Sequence, residues 1–290
     1  MAFWQSRSET TKGYATVAPP LLYAFFLLAV PLGAVLVLSF WSQEFQTIDR
    51  SFTLANYREA LTDPLYRQLL WRSVKIAGAT TIATVLLAFP IAYFVSFHVP
   101  PHKKSLWIFL ITIPFWTSYL IRVFLWKVIL GYGGVLNSAL MGLGVIDEPM
   151  TFLLYNANSV VITLAHAFAP FAILPIFVSL EKIDRSLLEA SRDLGESTAM
   201  TFLRVTLPLA APGVIAAILI VFIPTVGDYV TPRLVGGPNG TMIANMIQVQ
   251  FLQLSNAPLG SALAVLAMLT VTVVALVVSL GIGRLVRAPR

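Results

Sequence analysis

The chain has 290 residues, 58% of them hydrophobic and 11% charged, with a mean hydropathy of +0.83. These values lie outside the range of water-soluble globular domains and exclude a large soluble core. The net charge of +6 comes with no basic stripe interleaved with aromatic residues, so nucleic acid is not an expected partner. The absence of cysteine excludes disulfides, thiol nucleophiles and cysteine-ligated metals.

Six apolar runs recur, at about residues 20–41, 74–97, 106–130, 159–180, 212–232 and 259–283. Each reaches the roughly 20 residues needed to cross a bilayer as a helix. They are continuously apolar rather than alternating, which favours helices over a transmembrane barrel. The expected fold class is all-α: one polytopic membrane domain over residues 1–290 with six transmembrane helices. The first run is long for a signal peptide and lacks a small-residue cleavage site, so it is expected to remain as the first span. Of the 19 lysines and arginines, eleven fall on the side that holds both termini, Arg7 and Arg290 among them. Six, namely Arg50, Arg58, Arg67, Arg72, Lys75 and Arg233, fall on the other side, and Arg122 and Lys127 lie within the third run. Cytoplasmic segments carry the excess of such residues, so both termini are expected in the cytoplasm.

In chain order, the first outer loop (42–73) contains FTLANYREAL, which predicts a short surface helix. Within the third run Pro114 removes an amide and bends the helix, as does Pro224 in the fifth. Such bends serve either gating or plain packing. Arg122 falls beyond the middle of the third run, roughly 6 Å outward of centre, and Asp228 near the end of the fifth, roughly 9 Å outward. Lys127 stands where its stem can snorkel to the interface. The connection that follows, with Gly131, Gly133, Gly134, Asp147 and Glu148, reads as outward-facing turns, as does GGPNG at 236–240. His98, His102 and His166 are too scattered for a metal site, and His166, alone in the fourth run, reads as a hydrogen-bonded structural histidine.

Ionisable residues inside spans are costly and therefore functional candidates. Two readings of Asp228 and Arg122 stand open. They can form a buried ion pair between spans three and five. Alternatively, Asp228 accepts a substrate ammonium, with Trp116, Tyr119, Trp126 and Tyr229 offering ring faces to a cation.

The loop at about 181–211, between the fourth and fifth runs, looks ordered. Ser186 followed by Glu189 has the form of a capping box, predicting a helix that begins near Ser186. Leu187, Ala190, Ser191 and Leu194 share one small, apolar face of it. Gly195 supplies a left-handed stop. A second short helix is expected from about Ser197, and Pro208 and Pro212 mark the start of the fifth span. By physics alone this is a surface helix–turn–helix joining two spans.

Its sequence, EASRDLGESTAMTFLRVTLP at 189–208, resembles the EAA loop of importer permeases in the ATP-binding cassette family. The usual form is Glu-Ala-Ala, three residues, Gly, nine residues, Ile, one residue, Leu-Pro. Here Ser191 replaces an alanine and Val205 an isoleucine. PFWTSYLIRVFLWKVILGYGGVLN (114–137) and GDYVTPRLVGGP (227–238) resemble the spermidine and putrescine importer permeases, the first of their paired permease subunits. The resemblance implies a type I importer permease fold in a bacterial inner membrane. It further implies a second permease as heterodimer partner, a dimeric cytoplasmic ATPase and an extracytoplasmic solute-binding protein, with lipid around the spans. Glu189, Ala190, Ser191, Asp193 and Gly195 would form the helix that docks on the ATPase, with Leu207 and Pro208 leading into the fifth span. The chain has no GxxxxGK[ST] loop, so ATP and Mg would be bound by that partner and no cofactor or catalysis is expected here. Importers of other small organic cations or amino-acid-like solutes share parts of these passages. A secondary transporter would show inverted repeats and several buried titratable groups, which are not visible. A membrane-embedded enzyme would show paired carboxylates, metal-ligand spacing or a nucleophile with its base, also not visible.

Overall fold

The computed structural model describes residues 9–45 and 47–287. Arg7 and Arg290, counted in the charge asymmetry, lie outside the described residues. Thirteen helices are described: α1 (Glu9–Leu38), α2 (Ala55–Thr62), α3 (Pro64–Phe97), α4 (Pro101–Thr112), α5 (Tyr119–Leu130), α6 (Val135–Gly142), α7 (Ala157–Glu181), α8 (Arg185–Asp193), α9 (Thr198–Thr201), α10 (Leu207–Val226), α11 (Gly237–Gly240), α12 (Ile243–Leu252) and α13 (Ala257–Arg287). Six stretches are long and apolar enough to cross a membrane: Gly13–Leu38, Pro64–Phe97, Tyr119–Gly142, Ala157–Glu181, Thr198–Val226 and Ala257–Gly281. The fold is thus all-α and polytopic, with one two-stranded hairpin, Ser42–Glu44 against Thr47–Asp49. The surface helix expected in the first loop is α2.

Local chemistry explains where the long helices begin. The Asp63 carboxylate accepts from the Leu65 amide at 2.7 Å and Pro64 occupies the first helical turn, so α3 starts well before the apolar run at 74. Asn156 and Ser159 form a reciprocal capping box at the start of α7.

The third apolar run departs from the expected single helix. α4 tightens into a 3-10 turn at Ile113–Trp116, and Thr117 then adopts an extended conformation (φ −95°, ψ 144°) before α5 begins. Pro114 lacks an amide, and the chain breaks here rather than bends. The apolar stretch that can cross therefore begins at Tyr119 and continues, through a turn at residues 131–134, into α6.

α3, α7 and α10 form the central bundle. Their shared faces are small: Ala88 and Ala92 of α3, Ala172 of α7, and Ala210 and Ala217 of α10 are buried together. Between helices in lipid, close approach rather than the hydrophobic effect supplies the attraction. The tightest crossing is at Gly213, where an added Cβ would stand 2.4 Å from the Pro175 carbonyl oxygen and 2.5 Å from Ser179 Cβ. Buried hydroxyls of Ser73, Thr81, Thr84 and Thr225 turn back onto the carbonyl four residues earlier and so present no donor to hydrocarbon. α13 packs beside the bundle through α12 and α10, and α1 lies along α13 with most of its surface open.

The two ends of the bundle are closed differently. At one end the Ile243 amide donates to Ser73 Oγ (2.8 Å) and Ser159 Oγ donates to the Val235 carbonyl (2.6 Å), seating residues 232–243 across α3 and α7. That segment includes a π-helical turn, Pro232–Gly236, and the helical turn α11 in place of a simple tight turn at GGPNG. At the other end stands the loop between α7 and α10.

Gly213→Val should force α7 and α10 apart, at about 1–3 kcal/mol for overpacking. The expected result is a lower thermal midpoint of the detergent-solubilised protein, whereas Gly78→Val, where an added Cβ meets nothing within 4 Å, should leave it unchanged.

Candidate functional site

The first candidate region is the loop. α8 is capped by Asp184, whose carboxylate accepts from the Ser186 amide at 3.0 Å, and not by Ser186. The expected capping box is therefore displaced: aspartate is as good a cap as serine, and buried Ile183 just before it anchors the start. The Ser186 amide and hydroxyl hold the Asp184 carboxyl below the usual carboxylate range. That contribution to the loop is present above about pH 4 and is lost as pH falls through the lowered value.

Gly195 takes φ +85°, the left-handed stop that ends α8. Ser197 accepts from the Met200 amide and starts α9, whose path continues through a π-helical turn, Phe202–Thr206, into α10. Pro208 and Pro212 thus lie inside one nearly continuous helix, in its first turns. Leu187, Glu189, Ala190, Asp193 and Leu194 are exposed, Leu194 at 86%. Ser191 is corrected: it is buried, with Oγ 3.0 Å from Thr201 Oγ1, and pins α8 to α9 rather than facing a partner. Arg204 pairs with Glu196 across the same turn.

The loop is also tied to the rest of the bundle by residues that sequence reading passed over. Glu181, at the end of α7, accepts from Ser96 Oγ of α3 and from Lys104 Nζ of α4, both at 2.6 Å. Arg185, the first residue of α8, donates to the Ser96 carbonyl at 3.2 Å and lies over the Phe97 ring. Between loop and bundle, a cleft of about 540 Å³ is bounded by Pro175, Ser179, Lys182, Leu187, Pro212 and Gly213.

The second region gathers around α5 and the end of α10. Asp228 and Arg122 do not form the ion pair that was one of the two open readings. Asp228 Oδ1 instead accepts the amides of Val230 (2.9 Å) and Thr231 (3.4 Å), capping the turn that follows α10. Its Oδ2 accepts the Tyr119 hydroxyl at 2.6 Å, and Thr231 Oγ1 lies 2.7 Å from the same hydroxyl. Arg122 Nε and Nη1 are enclosed and make no hydrogen bond. Trp126, one turn beyond Arg122, donates from Nε1 to His166 Nδ1 at 3.1 Å, so His166 is hydrogen-bonded as expected, yet it sits on the surface of α7. Trp116 is 81% exposed and Tyr229 44% exposed, and neither side chain is hydrogen-bonded to Asp228. Lys127 Nζ stands 6.0 Å from the ring centres of both Phe124 and Tyr155. The arrangement offers a fixed, half-covered carboxylate next in sequence to exposed Tyr229, and a guanidinium one turn beyond Tyr119 that makes no ion pair among the described residues.

Residues 17–288 match the model of the family described as the binding-protein-dependent transport system inner membrane component. The chain belongs to that family. The permease is 38% identical over 251 residues to the spermidine/putrescine transport system permease protein PotB of Haemophilus influenzae, covering 86% of this chain and 87% of that one. It is 42% identical over 212 residues to the PotB of Escherichia coli K12, covering 73% and 76%. In fold it resembles a chain of a bacterial transporter involved in the import of the acidic polysaccharide alginate, with a TM-score of 0.70 at 17% identity over 99% of both chains. These relationships make the protein a multi-pass inner membrane transport component of type I permease fold, and not itself an enzyme.

Two substitutions test this geometry in the permease. Tyr119→Phe leaves Asp228 and Thr231 short of a partner, at about 1–3 kcal/mol, and should lower the thermal midpoint, while Trp116→Ala should not. Glu181→Ala removes the acceptor shared by α3 and α4, a charge-assisted contact of about 1.5–3 kcal/mol. Amide exchange over residues 182–195 should then rise roughly tenfold or more, with α5 unaffected.

Proposed function

We propose that this chain is one of two permease subunits of an ATP-driven importer of polyamines of the spermidine and putrescine class. The observation that carries the substrate reading is 38–42% identity to two permeases named for those solutes, over more than two-thirds of each chain. Both termini face the cytoplasm, following the excess of basic residues on that side. The α7–α10 loop is then cytoplasmic and docks on a separate dimeric ATPase that holds ATP and Mg. Leu187, Ala190 and Leu194 offer the apolar part of the contact, Glu189 and Asp193 the charges that pair with basic groups. Gly195 sets the angle between α8 and α9, Ser191 locks them, and Leu207 and Pro208 carry the motion into α10.

A binding protein delivers solute to the opposite face, and the second permease completes the path. Asp228 receives a solute ammonium at Oδ2, where Tyr119 already donates one hydrogen bond and fixes the carboxylate. Exposed Trp116 and Tyr229 supply ring faces to the same cation. Trp126 is engaged with His166. Access alternates without covalent chemistry, with the break at residues 113–118 and Pro224 as flexible points.

The test is ATP-dependent uptake of radiolabelled spermidine, putrescine and a panel of amino acids into vesicles carrying the complex expressed from its own genes. Polyamine uptake competed by the other polyamine is expected. Asp228→Asn should lower it about ten- to a hundred-fold, as loss of a charge-assisted contact does, without loss of the complex. Glu189→Ala and Gly195→Val should abolish uptake while leaving insertion intact. Uptake of an amino acid in place of polyamines would overturn the substrate reading, and wild-type transport by both loop variants would overturn the docking reading.

A further inference from the structure

Arg122 makes no ion pair among the described residues. It lies in the first turn of α5, directly after the break, with Nε and Nη1 enclosed and no acceptor on either. Asp228, the carboxylate that holds neighbouring Tyr119, has its oxygens engaged by the Tyr119 hydroxyl and the amides of Val230 and Thr231. His166 cannot neutralise it, since its Nδ1 is occupied by Trp126 and an imidazole is no anion. Tyr119, Arg122 and Trp126 are spaced by three and four residues, so they share one face of α5. That face packs on α7 and on the turn after α10, and at its margin Arg122 is only partly covered and His166 beside Trp126 is exposed. An ionised arginine beside a histidine is costly to leave against acyl chains. A bare guanidinium beside a cation path would also repel the ammonium groups that the proposed function has pass Asp228.

We infer that Arg122 pairs with a carboxylate carried by a membrane span of the second permease, making an inter-subunit ion pair at the face where the two permeases meet. The inference rests on the two-permease reading above. With Nε and Nη1 enclosed, Nη2 is the nitrogen that a carboxylate of the neighbour reaches.

The test uses the whole complex, expressed from its own genes and recovered through a tag on this chain, with co-recovered second permease as the readout. Breaking one member of an enclosed pair is strongly destabilising, so Arg122→Glu should lower that recovery at least about tenfold, and Arg122→Lys should largely keep it. Changing one Asp or Glu in a span of the second permease to Arg should restore the Arg122→Glu complex. The chain contains no cysteine, so Arg122→Cys introduces a single thiol, which on addition of an oxidant should form a disulfide with a cysteine placed at one of those Asp or Glu positions. This cross-link decides the matter even where Arg122→Glu fails to insert. Full recovery of the second permease with Arg122→Glu, or failure of every span carboxylate both to restore and to cross-link, would overturn the pair. So would a complex of Arg122→Ala that assembles fully and changes its preference between anionic and cationic solutes, which would make the solute itself the occupant. A complex that assembles as described but imports no polyamine overturns the substrate reading alone.

Discussion

The close crossing of α7 and α10 at Gly213 is the contact on which the rest of the molecule depends. The loop from 182 to 206 leaves one of these helices and returns as the other, and the crossing lies within about two turns of both departures. Backbone against backbone at that point, with the Pro175 carbonyl and Ser179 Cβ facing a residue that has no side chain, admits little sliding. A rigid loop hung from two helices so joined can act on both together. The cleft between the crossing and α8 gives that loop room to tilt without opening the bundle. Glu181, drawing in Ser96 and Lys104, extends the same attachment to α3 and α4.

The spans were legible because a bilayer imposes one length and one chemistry on every helix that crosses it. Their interruptions were not. Apolarity is indifferent to a break such as the one after Pro114, and the extended residues Thr117 and Ser118 carry no composition signal of their own. Likewise the hairpin at 42–49 has strands of three residues, too short for any alternation to register. At α8, Asp184 and Ser186 are both good caps, and the attractive Ser186–Glu189 spacing concealed the aspartate two residues earlier. Ser191 went wrong for a related reason: a small residue fits equally well against a partner protein or between two helices, and only the Thr201 hydroxyl across the turn distinguishes these. The Glu181 cluster joins residues 77 and 85 positions apart, beyond the reach of any local pattern.

Asp228 shows how a residue can be singled out correctly for incomplete reasons. Its cost inside an apolar run marked it, and pairing with Arg122 or binding a cation were the two roles weighed. A third is structural: its Oδ1 caps the turn that begins at Val230, ahead of Pro232. Capping and cation binding are compatible, because they use different oxygens. The backbone amides fix the carboxylate plane, and Tyr119 orients Oδ2. A carboxylate held in this way loses little conformational freedom when a ligand arrives, which is the ordinary advantage of preorganisation.

The same region carries a second charge, Arg122, that makes no ion pair among the described residues. Arg122 stands one turn from Tyr119, whose hydroxyl holds the Asp228 carboxylate; neutral donors leave that carboxylate its charge, and a bare guanidinium nearby weakens its pull on an ammonium. A cation would gain less by stopping at Asp228 while Arg122 remained bare. Neutralising Arg122 from outside this chain removes the penalty and leaves the carboxylate as the net charge of the path. Assembly and solute binding would then be linked: whatever brings the missing carboxylate to the edge of α5 also makes the site attractive to a cation, and whatever draws it away releases the solute.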